Sequence, residues 1–178
     1  MKSFWLINVL LFQSSWLCGA FFTQYANLVN PILLISHFVL TPTRKQDAKL
    51  LLLVPLGLSI DFLQMQLGVF SATSVGSEPI TSSFPLWLVF LWIMFVLSLN
   101  HSLRWLTRCS SPVLVVIGAV GGASSYLAGI KAGALQSLVS DSFLFVSLLL
   151  AWGVLLPTLV WLQKRYFSLG LTANGGKS

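Results

Sequence analysis

The sequence predicts an all-α polytopic membrane protein, a single membrane domain over residues 1–178 built as a six-transmembrane-helix bundle. Three observations predict it. Charge is scarce: 8% of residues are charged and 56% hydrophobic, with a mean hydropathy of +0.88, where a soluble domain carries about 25% charged residues. Apolar runs close to the length of a bilayer-crossing helix, about 20 residues, recur six times. The basic residues fall on alternate connections between those runs. So few charges cannot cover a soluble globule of this size, which excludes a soluble enzyme, a disordered chain and a nucleic-acid-binding domain. The net charge of +6 is spread in short clusters rather than one patch, so no nucleic-acid partner is expected.

The six runs are about Phe4–Phe22, Tyr25–Leu40, Leu50–Phe70, Leu86–Leu106, Val113–Ala134 and Phe143–Leu162. The first resembles a signal peptide in having Lys2 before an apolar stretch, but Asn8, Gln13, Trp5 and Trp16 and the spans that follow favour a retained helix. The second is the weakest, short and carrying Asn27, Asn30 and Pro31. It is either a tilted, half-buried helix or one that spans with help from its neighbours. Ser71–Pro85 reads as a polar surface loop, and Pro85 suits the first turn of the fourth helix. With the N-terminus in the cytoplasm, Lys2, Arg44, Lys45, Lys49, Arg104, Arg108, Lys164, Arg165 and Lys177 are all cytoplasmic and only Lys131 lies on the far side, with Glu78 and Asp141. Nine against one places both termini in the cytoplasm. Trp5, Trp87, Trp105 and Trp161 fall where an interfacial belt is expected. Cys18 and Cys109 fall toward opposite sides, so no disulfide is expected.

Asp61 is the most informative residue. It lies near the middle of the third run, about 15 Å from either end, where a carboxylate costs about 2.5–3.5 kcal/mol on insertion scales. It must face protein or water, with Gln64 one turn on and on the same face. Pro55 and Gly57 precede it and suggest a bend. This is a candidate proton or cation site; its alternative is a hydrogen-bonded carboxyl that fixes packing. A second polar level, Asn8, His37, Asn100 and His101, sits one to two turns inside the cytoplasmic ends. Arg104 follows Asn100 at i+4 and His101 at i+3 and is placed to hold an anionic group, or else to snorkel to the headgroups. Two histidines and a carboxylate are a known ligand set, but no HxxxH or HxxE spacing occurs and Asp61 lies deeper than the histidines. No metal and no cofactor is therefore expected. The fifth helix carries small residues every four positions, Gly121, Ser125, Gly129 and Gly133, with Gly118 and Gly122 beside them. Such a ridge admits a closely packed helix, from this chain, a homodimer or another membrane protein. Tyr126, among these small residues, is expected to point inward.

The strings Phe4-Trp5, Asn8, Phe12-Gln13, His37, Gly57 with Asp61, Pro85-Leu86-Trp87, Leu99-Asn100-His101-Ser102-Leu103-Arg104-Trp105-Leu106, and Gly118 through Gly121-Gly122 to Tyr126 and Gly129 carry a resemblance over nearly the whole chain. The sequence resembles a bacterial family of small six-helix inner-membrane proteins catalogued as a domain of unknown function. Where that family has Gly-Gly-Pro-Leu-Ala-Tyr, this chain reads Gly121-Gly122-Ala123-Ser124-Ser125-Tyr126, which puts a proline kink in the fifth helix in doubt. The resemblance implies an intact six-helix membrane protein and, through the genes its relatives accompany, a link to fatty-acid modification.

Two functions remain from this reading. One is an accessory protein of membrane-lipid modification that binds lipid, with membrane lipids and a membrane protein as partners. The other is a small solute transporter, or the substrate-binding subunit of one, using Asp61 and a cytoplasm-facing polar cavity; an inverted repeat finds little support, since Pro157 and no charge stand in helix six against Asp61 in helix three. An intramembrane enzyme needs a base beside a nucleophile or metal, and no such set is recognisable.

Overall fold

The computed structural model describes residues 2–73 and 84–167, with side chains from residue 4 onward. Glu78, Lys177, the Lys2 side chain and most of the loop expected over Ser71–Pro85 lie outside the described residues. Six helices form: α1 Lys2–Phe21, α2 Thr23–Leu40, α3 Arg44–Gln66, α4 Leu86–Asn100, α5 Ser111–Lys131 and α6 Asp141–Leu162. Four of them, α1, α3, α5 and α6, are long and apolar enough to cross a membrane; α4 is shorter and as apolar.

The helices alternate in direction. The Trp5 indole N–H donates to the Ser102 carbonyl and the Gln163 amide to the Leu99 carbonyl, so the start of α1 and the ends of α4 and α6 share one end. That end holds Arg44, Lys45, Arg104 and Arg108, and is called here the basic end. At the other end, β1 Phe70–Ala72 pairs antiparallel with β2 Leu135–Ser137. The register is Phe70 with Ser137 and Ala72 with Leu135. This two-stranded ribbon, absent from the sequence reading, ties the exit of α3 to the link between α5 and α6.

The helix boundaries differ from expectation for local reasons. The third helix starts at Arg44, six residues before the expected Leu50, with Thr43 at its N-cap. It tightens into a 3-10 turn at Leu51–Leu53, two residues ahead of Pro55, whose nitrogen has no hydrogen to donate to the preceding turn. It stops at Gln66, and Gly68 supplies the positive φ of +68° that turns the chain toward β1. The fourth helix ends at Asn100 rather than Leu106, because His101 leaves helical geometry at φ −124° and ψ −92°. The chain then re-enters as a separate 3-10 turn over Arg104–Arg108. Arg104 therefore shares no helical face with Asn100. Gly133, expected in the packing ridge, lies beyond α5 and makes the turn into β2 at φ +87°.

Polarity runs inside out. Asn8, His37 and Asp47 expose nothing, whereas Leu52 is 74% and Val154 69% exposed. A surface of this kind is covered by hydrocarbon, and these three polar side chains are sheltered from it. Trp5, Trp105 and Trp161 are half exposed, as a belt requires, but Trp87 is buried against Gly19. Both cysteines are free.

At the centre, the Trp92 and Trp152 indoles stack with centroids 5.2 Å apart and planes within 9° of parallel. A glycine stands at each side of this pair. A Cβ on Gly57 would come within 2.3 Å of Trp92, and one on Gly122 within 2.0 Å of Trp152. Gly118 meets the Trp152 carbonyl just as closely, at 2.4 Å. The α5–α6 seam is thus the Gly118/Gly122 ridge. Gly121 faces away, with nothing within 4 Å of its Cβ position, and Gly129 makes ordinary contact with Leu135. Gly122→Ala should destabilise the protein by about 1–3 kcal/mol through overpacking. Gly121→Ala should be neutral or stabilise by up to about 1 kcal/mol through helix propensity. Paired denaturation curves in micelles check this; equal stability of the two variants would contradict the seam.

Candidate functional site

Two buried polar centres lie along α3. Asp61, 1% exposed, accepts two bonds on Oδ2: the Trp92 indole N–H donates at 2.6 Å and the Tyr126 hydroxyl at 2.5 Å. Tyr126 is itself held edge-on by Phe70 of the ribbon and by Trp152. The stacked indoles therefore also orient the donors of the carboxylate. Asp61 is not central in its helix. It stands five residues before Gln66, about 8 Å from the end at 1.5 Å per residue, because α3 begins and ends earlier than its hydropathy suggested. Gln64 shares the buried face but donates its amide to Ser147 Oγ at 3.0 Å on α6.

Beside this centre lies a cavity of about 430 Å³ between α1, α4, α5 and α6. Its walls are Phe12 and Trp16 from α1, Trp92 and Phe95 from α4, Gly121 and Tyr126 from α5, and Trp152 from α6. Gln13, Ser124 and Ser125 add a few polar atoms. The Trp16 indole donates to Ser125 Oγ at 2.7 Å, joining α1 to α5 across it. Trp92 and Tyr126 belong to both features: they line the cavity while their polar atoms engage Asp61. The volume is within the range of small-molecule pockets, about 300–1,000 Å³.

The second centre is Asp47, fully buried at the basic end. It stands fourteen residues before Asp61 on α3, about 21 Å away along the axis. Its Oδ2 lies 3.3 Å from His37 Nε2, and both its oxygens lie 3.0 Å from His101 Nε2. The Asn100 amide donates to Oδ1 at 2.7 Å, the Thr41 hydroxyl to Oδ2 at 2.5 Å, and the Thr43 hydroxyl lies 3.3 Å from both oxygens. Phe4 packs edge-on against both imidazoles. His37 Nδ1 is buried with no hydrogen-bond partner among the described residues.

The structure thus brings His37, Asn100 and His101 together, as the sequence reading grouped them, but around a residue that reading missed. The carboxylate between the two histidines is Asp47, not Asp61. Asp47 sits in a basic string, Arg44-Lys45-Gln46-Asp47-Ala48-Lys49, that reads as a solvated loop. The available signal was its rarity, one of four acids in the chain. Asn8 belongs to a separate tie, its Oδ1 accepting from the Ser102 N–H at 3.1 Å and hydroxyl at 2.5 Å. Arg104 is exposed and outside the cluster.

Asp61→Leu leaves an indole N–H and a phenol buried without an acceptor, and should cost about 2–5 kcal/mol. Asp61→Asn keeps an oxygen with two lone pairs for the same donors and should cost less than about 1.5 kcal/mol. Denaturant titration of both variants in micelles decides; equal losses would show that the negative charge, not the acceptor, is what the fold needs.

A family model described as "Protein of unknown function (DUF2878)" matches residues 5–158 of the chain. No curated protein and no solved structure matches it.

Proposed function

From a chain that belongs to the DUF2878 family of proteins of unknown function, we propose a lipid-binding protein of the bacterial inner membrane, which holds an apolar chain between α1, α4, α5 and α6 and presents it to a lipid-modifying enzyme. The observation that carries this reading is the cavity itself, aromatic-walled and built from four helices at mid-length. An acyl chain entering it from the bilayer gains no hydrophobic free energy, since lipid tails are already apolar. Retention then rests on dispersion contacts with the faces of Phe12, Phe95, Trp92 and Trp152, each atom pair contributing about 0.1–0.2 kcal/mol. The rest comes from hydrogen bonds of Gln13, Ser124 and Ser125 to a neutral polar group on the lipid, an ester, hydroxyl or amide. A charged headgroup is disfavoured at that depth. Aromatic faces, hydroxyls and an amide suit holding better than cleaving, which favours an accessory role.

The positive-inside bias supports cytoplasmic termini and a cytoplasmic basic end. A solute path using both Asp61 and the cytoplasmic polar level has weaker support, because the two centres stand about 21 Å apart and Asp61 is closed over by Trp92 and Tyr126.

Gly121 provides the test. Its Cβ position is open and it lines the cavity, so Gly121→Phe should fill the cavity without disturbing the fold. In vesicles containing a phospholipid with a mid-chain photoactivatable diazirine, the wild-type protein should be labelled on peptides carrying Phe12 or Phe95. Gly121→Phe should lower that labelling about tenfold, a change of about 1.4 kcal/mol in occupancy, while labelling of the outward residues of α2 stays constant. Undiminished labelling of the cavity peptides in the variant would overturn the proposal.

A further inference from the structure

We propose that His37, Asp47 and His101 form a binding site for one divalent first-row transition-metal ion of the zinc type, at the basic end and independent of the lipid cavity. Three elements meet there: the last turn of α2, the first turn of α3 and the residue that ends α4. Each contributes one ligand atom, and the three atoms lie within 4.8 Å of one another.

The two carboxylate–imidazole edges have the dimensions of a coordination shell. Bonds of about 2.0–2.1 Å to imidazole nitrogen and carboxylate oxygen in a tetrahedron imply ligand–ligand edges of about 3.3 Å. Asp47 Oδ2 stands 3.3 Å from His37 Nε2 and 3.0 Å from His101 Nε2. Thr43 Oγ1 offers a neutral fourth oxygen at similar separations, 3.3 Å from both Asp47 oxygens and 3.5 Å from His101 Nε2.

Lone-pair counting points the same way. Two carboxylate oxygens offer about four acceptor directions, yet five side chains converge on Asp47: His37, His101, Thr41, Thr43 and Asn100. A cation removes the crowding, because the two imidazoles turn lone pairs rather than N–H groups toward the centre. Asn100 and Thr41 then hold the carboxylate from outside, as outer partners of metal ligands do. Two imidazoles and one carboxylate select zinc-like or iron-like ions over the hard cations Mg²⁺ and Ca²⁺, which take all-oxygen shells. A neutral imidazole pair with one carboxylate leaves a bound divalent ion with a net single positive charge, which an added anionic ligand at the fourth position would neutralise.

The experiment titrates the full-length protein, stripped with chelator in detergent micelles, with Zn²⁺ and separately with Co²⁺. The wild-type protein should take up one equivalent of Zn²⁺ that a large excess of Mg²⁺ does not displace. Co²⁺ should give the intense visible d–d bands of a four-coordinate site. His37→Gln, His101→Gln and Asp47→Asn should each weaken Zn²⁺ binding by at least ~100-fold, and Asn100→Ala by ~10-fold, as an outer partner does. Absence of stoichiometric Zn²⁺ uptake by the wild-type protein overturns the proposal, whatever the variants do. So does unaltered affinity in folded His101→Gln and Asp47→Asn.

Discussion

Two indoles stacked face to face, Trp92 on α4 and Trp152 on α6, set the arrangement on which the rest of the molecule depends. The pair fits only because Gly57 and Gly122 present no side chain on either side of it. Once seated, Trp92 points its N–H at Asp61, and Trp152 packs against the ring of Tyr126, whose hydroxyl meets the same oxygen. Four helices, α3 to α6, are thereby joined through one carboxylate and three aromatic rings. The ribbon joins the same unit from the far end, where Phe70 rests on Tyr126. The cavity between α1, α4, α5 and α6 lies against this unit, since Trp92, Tyr126 and Trp152 form part of its wall.

In a bilayer the hydrophobic effect does not drive helices together, so association rests on close packing and buried hydrogen bonds. The glycine–indole contacts supply the packing. The hydrogen bonds are concentrated in two places, Asp61 near the ribbon and Asp47 at the basic end. Each ties together elements that are remote in sequence: Asp61 reaches 65 residues along the chain to Tyr126 and Asp47 reaches 54 to His101. The two carboxylates act differently. Asp61 accepts from neutral donors on one oxygen within an aromatic shell, an arrangement suited to fixing a wall. Asp47 gathers imidazoles, hydroxyls and an amide around both oxygens, an arrangement suited to holding a cation.

The helical membrane class and the six helices were legible because bilayer thickness imposes a length that apolar runs display directly. Asp61 was legible because a carboxylate inside such a run is expensive, and Tyr126 because small residues surround it. Membership of a family of unknown function, expected from strings such as Leu99 to Leu106, holds over residues 5–158. Asp47 was hidden by its basic neighbours, since a charged string between spans looks the same whether or not one member folds inward. The end of α4 was equally hidden. No glycine or proline marks it; the backbone breaks at His101, whose imidazole is held by Asp47, a contact that local propensity does not contain. Trp152 gave no signal because every residue of an apolar run looks alike until its glycine partner is known. Gly133 kept the four-residue spacing of the ridge by coincidence, its positive φ being a property of the turn. Ala123 stands where the resemblance led to the expectation of a proline, and α5 runs unbroken from Ser111 to Lys131.

The central claim is that the carboxylates of Asp47 and Asp61 are sealed inside the protein, with Trp92 locked onto Asp61 while other indoles face the membrane surface. Exchange of indole N–H for deuterium, followed by NMR of ¹⁵N-tryptophan-labelled protein in lipid nanodiscs, reads this directly. The account predicts that the Trp92 resonance persists long after that of Trp161 has vanished. Loss of both at the same rate would contradict it.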